Sequence, residues 1–136
     1  MSWTNQLLED SAQVDLAAMV AQSWGFPRDI TPNELERGVW FAMFRGCELS
    51  VVWWFETVSG STTEAGIHIA ADPRVRGRIP ARSWQLEVVS HARRLGLQRL
   101  HASVEGEVVS YLLRLGWEPR QALLFMDVEA SYGRDC

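Results

Sequence analysis

The sequence predicts a single-domain α/β fold, a mixed, twisted sheet flanked by helices. Three observations carry that prediction. At 136 residues and 47% apolar, the chain holds material for one hydrophobic core. Two apolar, aromatic-rich runs meet at Arg45-Gly46-Cys47, as the strands of a hairpin do. In the second half, strand-like and helix-like segments alternate, the order that joins neighbouring strands through helical crossovers.

The elements follow from local pattern. Residues 11–24 place Val14, Ala17, Ala18, Ala21 and Trp24 near helical spacing, and Gly25 stops the run. In "TPNELERG", Thr31 reads as an N-cap, Pro32 as N1 and Glu34 as N3, a capping box opening a short helix. Strands are expected at about 39–45 and 48–57, a loop at "SGSTTE", and a buried strand at "AGIHIAA". Residues 80–95 carry the strongest helix pattern, with Trp84, Val88, Ala92 and Leu95 on one stripe and Gly96 at C′. Residues 97–105 alternate Leu100, Ala102 and Val104 against Arg99, His101 and Ser103, which is a strand period. "EVVSYLLRLG" closes a short helix at Gly116, and "QALLFMDVE" ends the fold as a strand. The predicted order is α, α, β, β, β, α, β, α, β, without repeats, low-complexity tracts or linkers.

Charge narrows the partners. The net charge is −4, but residues 1–73 carry −7, residues 74–120 carry +5 and residues 121–136 carry −2. A basic middle in an acidic chain suits a compact polyanion such as a nucleotide cofactor, or is simply a solvated helix face. It argues against nucleic acid, since the summed field repels a long phosphate backbone. All 13 basic residues are Arg, which fits a GC-rich coding sequence; a lysine-free chain also cannot acetylate its own lysines. No apolar run approaches the roughly 20 residues that span a bilayer, so no membrane partner is expected. No basic region precedes an apolar stretch at the N-terminus, so no signal peptide is expected. Cys47 and Cys136 have neither disulfide-framework nor metal-ligand spacing, and a reducing, cytoplasmic compartment is the expectation.

The most informative stretch is "DPRVRGRIPARSW", residues 72–84. A strand ends in Asp-Pro, an Arg/Gly-rich turn follows, and a helix opens at a proline. Free N–H groups at a helix N-terminus, aligned with its dipole, favour an anion there. Arginines add charge-assisted hydrogen bonds, and glycine lets the backbone approach a phosphate.

With "SYLLRLGWEP" downstream, the stretch from Gly66 to Val104 resembles the GNAT superfamily of acyl-CoA N-acyltransferases. The resemblance covers roughly residues 38–128 and is strongest over 66–119. It implies acetyl-CoA as co-substrate and an amine acceptor, either a small molecule or a protein. The pyrophosphate would sit on a turn carried by Ala71, Arg76, Gly77, Arg78, Ile79, Ala81 and Arg82. Two positions depart from the family pattern. Ile79 stands where the family has its first required glycine, and Pro80 has no N–H to donate. Losing one hydrogen bond to a charged group costs about 1.5–3 kcal/mol.

The resemblance also implies an acid for the leaving thiolate on the last helix. The family's Tyr position is Leu112 here, and Tyr111 is its neighbour, about 100° around the helix. Glu105 stands where the family often has Asn, and is one candidate base. His68 is the other, with an ordinary pKa near working pH, set against the plainer reading of a histidine on the far sheet face or a satisfied core histidine. His91 and His101 read as surface residues. The sequence shows no Ser/His/Asp set and no metal-ligand cluster.

An inactive GNAT-fold protein acting through protein–protein contacts is the alternative. Small phage-encoded GNAT-like proteins, including virion proteins, are similar in size and have eroded turns. That resemblance implies a protein partner or homodimer and a place in host cytoplasm or virion; an exposed aromatic patch from Trp40, Trp53 or Trp54 would support it, and full burial of all three would count against it. A third reading is a nucleotide or small-anion sensor using the arginine turn without chemistry.

Overall fold

A computed structural model describes residues 2–103, 108–120 and 123–129. In chain order the elements are β1 (Trp3–Leu8), α1 (Ser11–Ser23), α2 (Pro32–Arg37), β2 (Val39–Arg45), β3 (Glu48–Thr57), β4 (Glu64–Ala71), α3 (Ala81–Arg94), β5 (Arg99–Ser103), α4 (Val108–Arg114), β6 (Glu118–Arg120) and β7 (Leu123–Asp127). The strands form a seven-stranded mixed sheet in the order β1-β2-β3-β4-β5-β7-β6. The α/β class is as the sequence predicts, with two additions. β1 was not expected, and the terminal region holds a short β6 before β7.

The chain packs as two compact units, one comprising residues 1–56 and 68–79, the other residues 57–67 and 80–136. In the first, Asp10 caps α1 by accepting from the Ala12 N–H at 2.8 Å. Val14, Ala17, Ala18 and Ala21 bury one face of α1 against Trp40, Val52, Trp54 and Ala70. The Thr31/Glu34 capping box forms as the sequence predicts. β2 and β3 pair antiparallel, placing Trp40 opposite Trp54 and Phe41 opposite Trp53. Trp40 stacks on Trp54 at 4.2 Å between ring centroids, and Phe41 on Trp53 at 4.0 Å. These pairs lie on opposite sheet faces, and all four rings are fully buried. That explains the near-continuous apolar runs, since a sheet covered on both faces has no polar side to show. The burial of Trp40, Trp53 and Trp54 counts against an inactive protein that works through an aromatic patch.

Gly38 joins α2 to β2 with ordinary backbone angles, so its reason is space. A Cβ there would fall on the Glu34 carbonyl oxygen and lie 2.9 Å from Trp40 Nε1. Those two atoms are hydrogen-bonded to each other at 2.8 Å.

In the second unit, β4 and β5 run parallel, with Glu64 opposite Arg99 and Gly66 opposite His101. α3 connects them in the chain, as the spacing predicts. α3 buries Trp84, Gln85, Val88, Val89 and Ala92, and Gly96 turns the chain at φ +75°. Gln85 is satisfied internally: its amide donates to Met126 Sδ at 2.9 Å and accepts from Trp117 Nε1 at 3.1 Å. No helix among the described residues is long and apolar enough to cross a membrane.

Candidate functional site

The first unit gathers ionisable side chains around one buried carboxylate. The chain leaves α1 at Gly25 and runs to α2 through a loop pinned by Gln22. The Gln22 amide donates to Arg28 O at 2.9 Å and accepts from the Ile30 N–H at 3.3 Å. That loop delivers Arg28 onto Glu34 as a two-pronged pair, Nη1 to Oε1 at 2.6 Å and Nη2 to Oε2 at 3.0 Å. Trp54 Nε1 donates to Oε2 at 2.7 Å, and the Thr31 N–H and hydroxyl each donate to Oε1 at 3.1 Å. Glu34 is completely buried. Burial alone would raise its pKa, but the hydrogen bonds from Arg28, Trp54 and Thr31 win, and it is lowered to about 2.

Glu56 lies two residues beyond Trp54 on β3 and so on the same sheet face. It meets His68 of β4, with His68 Nε2 2.7 Å from Glu56 Oε1. The same nitrogen is 3.3 Å from Arg28 Nη2 and 3.7 Å from Glu34 Oε2. One nitrogen cannot both donate to a carboxylate and accept from a guanidinium. The shorter, charge-assisted contact selects the tautomer with the proton on Nε2, donated to Glu56. Nδ1 then carries the lone pair and has no hydrogen-bond partner among the described residues. The ring sits between Trp54 and Phe26, at 5.3 and 6.0 Å between centroids. Burial lowers the His68 pKa, and the Glu56 hydrogen bond opposes this only in part. The site therefore holds a neutral imidazole, oriented by one carboxylate and lying beside a fixed ion pair.

The arginine turn is built differently. Asp72 organises it: its N–H donates to Ser50 O at 2.9 Å, and its carboxylate accepts from the Arg74 N–H at 2.9 Å and from Arg74 Nη2 at 2.8 Å. The Arg74 side chain is the main reason its pKa is lowered. The turns close through Val75 N–H to Asp72 O and Arg78 N–H to Val75 O, both 2.9 Å, and Gly77 has φ +84°. Arg76 donates to Trp24 O at 2.7 Å and to Ala71 O at 3.4 Å, so its guanidinium ties the turn to the end of α1. Ala71 is buried, Arg78 and Arg82 are exposed, and Ile79 and Ala81 are half-buried. Pro80 caps α3 without a side-chain hydrogen bond.

His68, Ala71 and Arg76–Ile79 thus belong to the first unit, and Ala81, Arg82 and Tyr111 to the second. Tyr111 lies within α4, beside the buried Leu112. Glu105 lies outside the described residues. Reasoning from sequence missed Arg28, Trp54 and Glu56, and took Glu34 for a cap alone. The only signal was the β-period relation of Trp54 to Glu56.

No family model matches the sequence, and no curated protein matches it. Solved structures do match. A structure of mutant forms of the spermidine/spermine N-acetyltransferase SpeG from Vibrio cholerae superposes with a TM-score of 0.74 at 11% identity, over 98% of each chain. The chain has the GNAT fold. The ribosomal-protein-S18-alanine N-acetyltransferase from Escherichia coli matches with a TM-score of 0.69 at 15% identity, over 93% of this chain and 94% of that one. The yncA structure from Salmonella typhimurium, which contains its cofactor acetyl-CoA, matches at 0.67 and 12% identity, over 94% of this chain and 95% of that one. Within the GNAT fold, His68 and Glu56 occupy the strands β4 and β3 that are neighbours in the sheet order.

Proposed function

We propose that the protein is an N-acetyltransferase that moves an acetyl group from acetyl-CoA to an amine by direct attack. The observation that carries this reading is a neutral, carboxylate-oriented imidazole, His68 with Glu56 at 2.7 Å, on a chain with the GNAT fold. A free amine attacks the thioester carbonyl carbon; the C–N bond forms and the C–S bond breaks. The proton lost by the amine goes to the lone pair of His68, whose lowered pKa keeps it unprotonated at pH 7. Glu56 holds the tautomer and steadies the imidazolium that forms. Tyr111 is the candidate acid for the departing thiolate, and Glu105 an alternative base.

The CoA part of the reading rests on the turn and on α3. Pro80 leaves the first-turn N–H groups of α3 without a side-chain acceptor, so a pyrophosphate can take them. Arg82, exposed in the same unit as α3, supplies charge there, and Arg76, Gly77 and Arg78 are candidates through the sequence resemblance. The acidic first half of the sequence favours a cationic acceptor, either a small amine as in the name of the SpeG neighbour or an amine on a protein as in that of the ribosomal-protein-S18-alanine enzyme.

Calorimetric titration with acetyl-CoA, against free CoA and ADP, tests the reading. Micromolar acetyl-CoA binding that weakens on Arg82→Ala supports it, and an amine screen with thiol detection follows. Absence of binding at millimolar ligand by the folded protein rejects it. The second reading, a GNAT-fold protein without chemistry that works through a protein partner or as a homodimer, phage-encoded or not, is favoured by one observation. Arg76 is already committed to Trp24 O.

A further inference from the structure

We propose that Glu34, Glu56 and His68 form a binding site for a divalent transition-metal ion of the zinc class, entered when Arg28 gives up its place. The ligand atoms of the three residues all lie within 4.8 Å of one another. His68 Nε2 stands 2.7 Å from Glu56 Oε1 and 3.7 Å from Glu34 Oε2. Three ligands at tetrahedral angles, each about 2.0–2.1 Å from zinc, are spaced about 3.3 Å apart. Those two separations bracket that value and the Glu34–Glu56 separation lies within 4.8 Å, so modest side-chain shifts suffice. One imidazole and two carboxylates suit zinc, cobalt or manganese better than a soft monovalent ion.

Two further features point the same way. The cluster already holds a cation: the Arg28 guanidinium, 40% exposed, lies against both Glu34 oxygens and 3.3 Å from His68 Nε2. With Arg28 present the carboxylates leave one negative charge over, and with Arg28 withdrawn they leave two, which a divalent ion balances. The outer contacts of a metal site are also built, since Trp54 Nε1 fixes Glu34 Oε2 at 2.7 Å. Metal binding takes the lone pair of Nε2. The proton now on Nε2 moves to Nδ1, which has no hydrogen-bond partner among the described residues, so the ring stays neutral. The site does not depend on acetyl transfer. Where that activity exists, a bound ion ties up the imidazole and inhibits it.

The test uses the full chain, titrated with Co²⁺ and followed by its visible absorption, then displaced with Zn²⁺ and checked by calorimetry. The expected result is one saturable ion per chain. Arg28→Gln, which removes the competing cation, should bind about tenfold tighter or more. His68→Ala should weaken binding by about a hundredfold or more, and Glu56→Gln by about tenfold. Glu56→Gln sits on a part-exposed side chain, so it decides the matter should either of the other variants fail to fold, as judged by circular dichroism. No saturable binding below millimolar Co²⁺ in the parent and in whichever variants fold overturns the proposal. So does binding that is unchanged by Glu56→Gln and His68→Ala, which would place the ion elsewhere, for instance on His91 and Glu87.

Discussion

Replacing Glu34 by Gln keeps the size of the side chain and removes its charge. Arg28 then loses one of its two oxygens, and Trp54 Nε1 and Thr31 compete for the other. The magnitude follows from the carboxyl's own equilibrium. Its pKa falls from an ordinary 4.5 to about 2 in the folded protein. Each pH unit of that difference corresponds to about 1.4 kcal/mol, which gives about 3 kcal/mol in all. The sign is that of a depressed acid: the stabilisation is complete above pH 4.5 and disappears as pH falls through about 2. Breaking a buried ion pair from one side costs about 3–5 kcal/mol, and the lower end applies here because Arg28 reaches water. The two routes agree. Urea unfolding at pH 7, 5, 4, 3 and 2.5, for parent and Glu34→Gln, measures it. The variant should be about 3 kcal/mol less stable at pH 7, and the gap should close steadily below pH 4.5. Parallel curves across that range would refute the reasoning, because Glu34 would then titrate alike in both states.

Three more outcomes are expected. Trp54→Phe removes one hydrogen bond to a charged group, should cost about 1.5–3 kcal/mol by urea unfolding, and should move the acid transition to higher pH. Acetyl transfer should rise with pH through a value below 6.5 and stay flat above it, since burial lowers the His68 pKa; His68→Ala should reduce kcat by about 10²–10⁴ and abolish that dependence, and a rate still climbing at pH 8 would assign the base elsewhere. Gly38→Ala should destabilise by about 2 kcal/mol or more, because its Cβ has no room beside Glu34 O; a thermal midpoint equal to the parent's would contradict the crowding.

What could be read from the sequence was what depends on near neighbours. The capping box at Thr31, the hairpin turn at Gly46 and the stripe on α3 are local devices, and each forms in place. β1 escaped notice because Thr4 and Gln6 face water and the strand has little apolar patterning. It is held by its ladder to β2 and by Asn5 Oδ1, which accepts from Trp53 Nε1 at 2.9 Å. The site was harder for the same reason. His68 is paired with a residue 12 positions away and touches an arginine 40 positions away. No periodicity links loop, helix and two strands. Glu34 reads as a cap alone because a capping box is satisfied by its own backbone, and nothing nearby says that two tryptophans will close over it.

The stacked indoles have an optical consequence. The chain has seven tryptophans, and Trp40 and Trp54 lie within 9° of parallel. Indoles so arranged couple their electronic transitions and give a paired signal of opposite sign in circular dichroism. Trp54 donates to the Glu34 carboxylate and faces His68, a ring that quenches indole emission when protonated. The molecule therefore carries a label-free reporter: proton uptake by His68, or a ligand lodging beside it, should be visible as a change in light absorbed and emitted by Trp54.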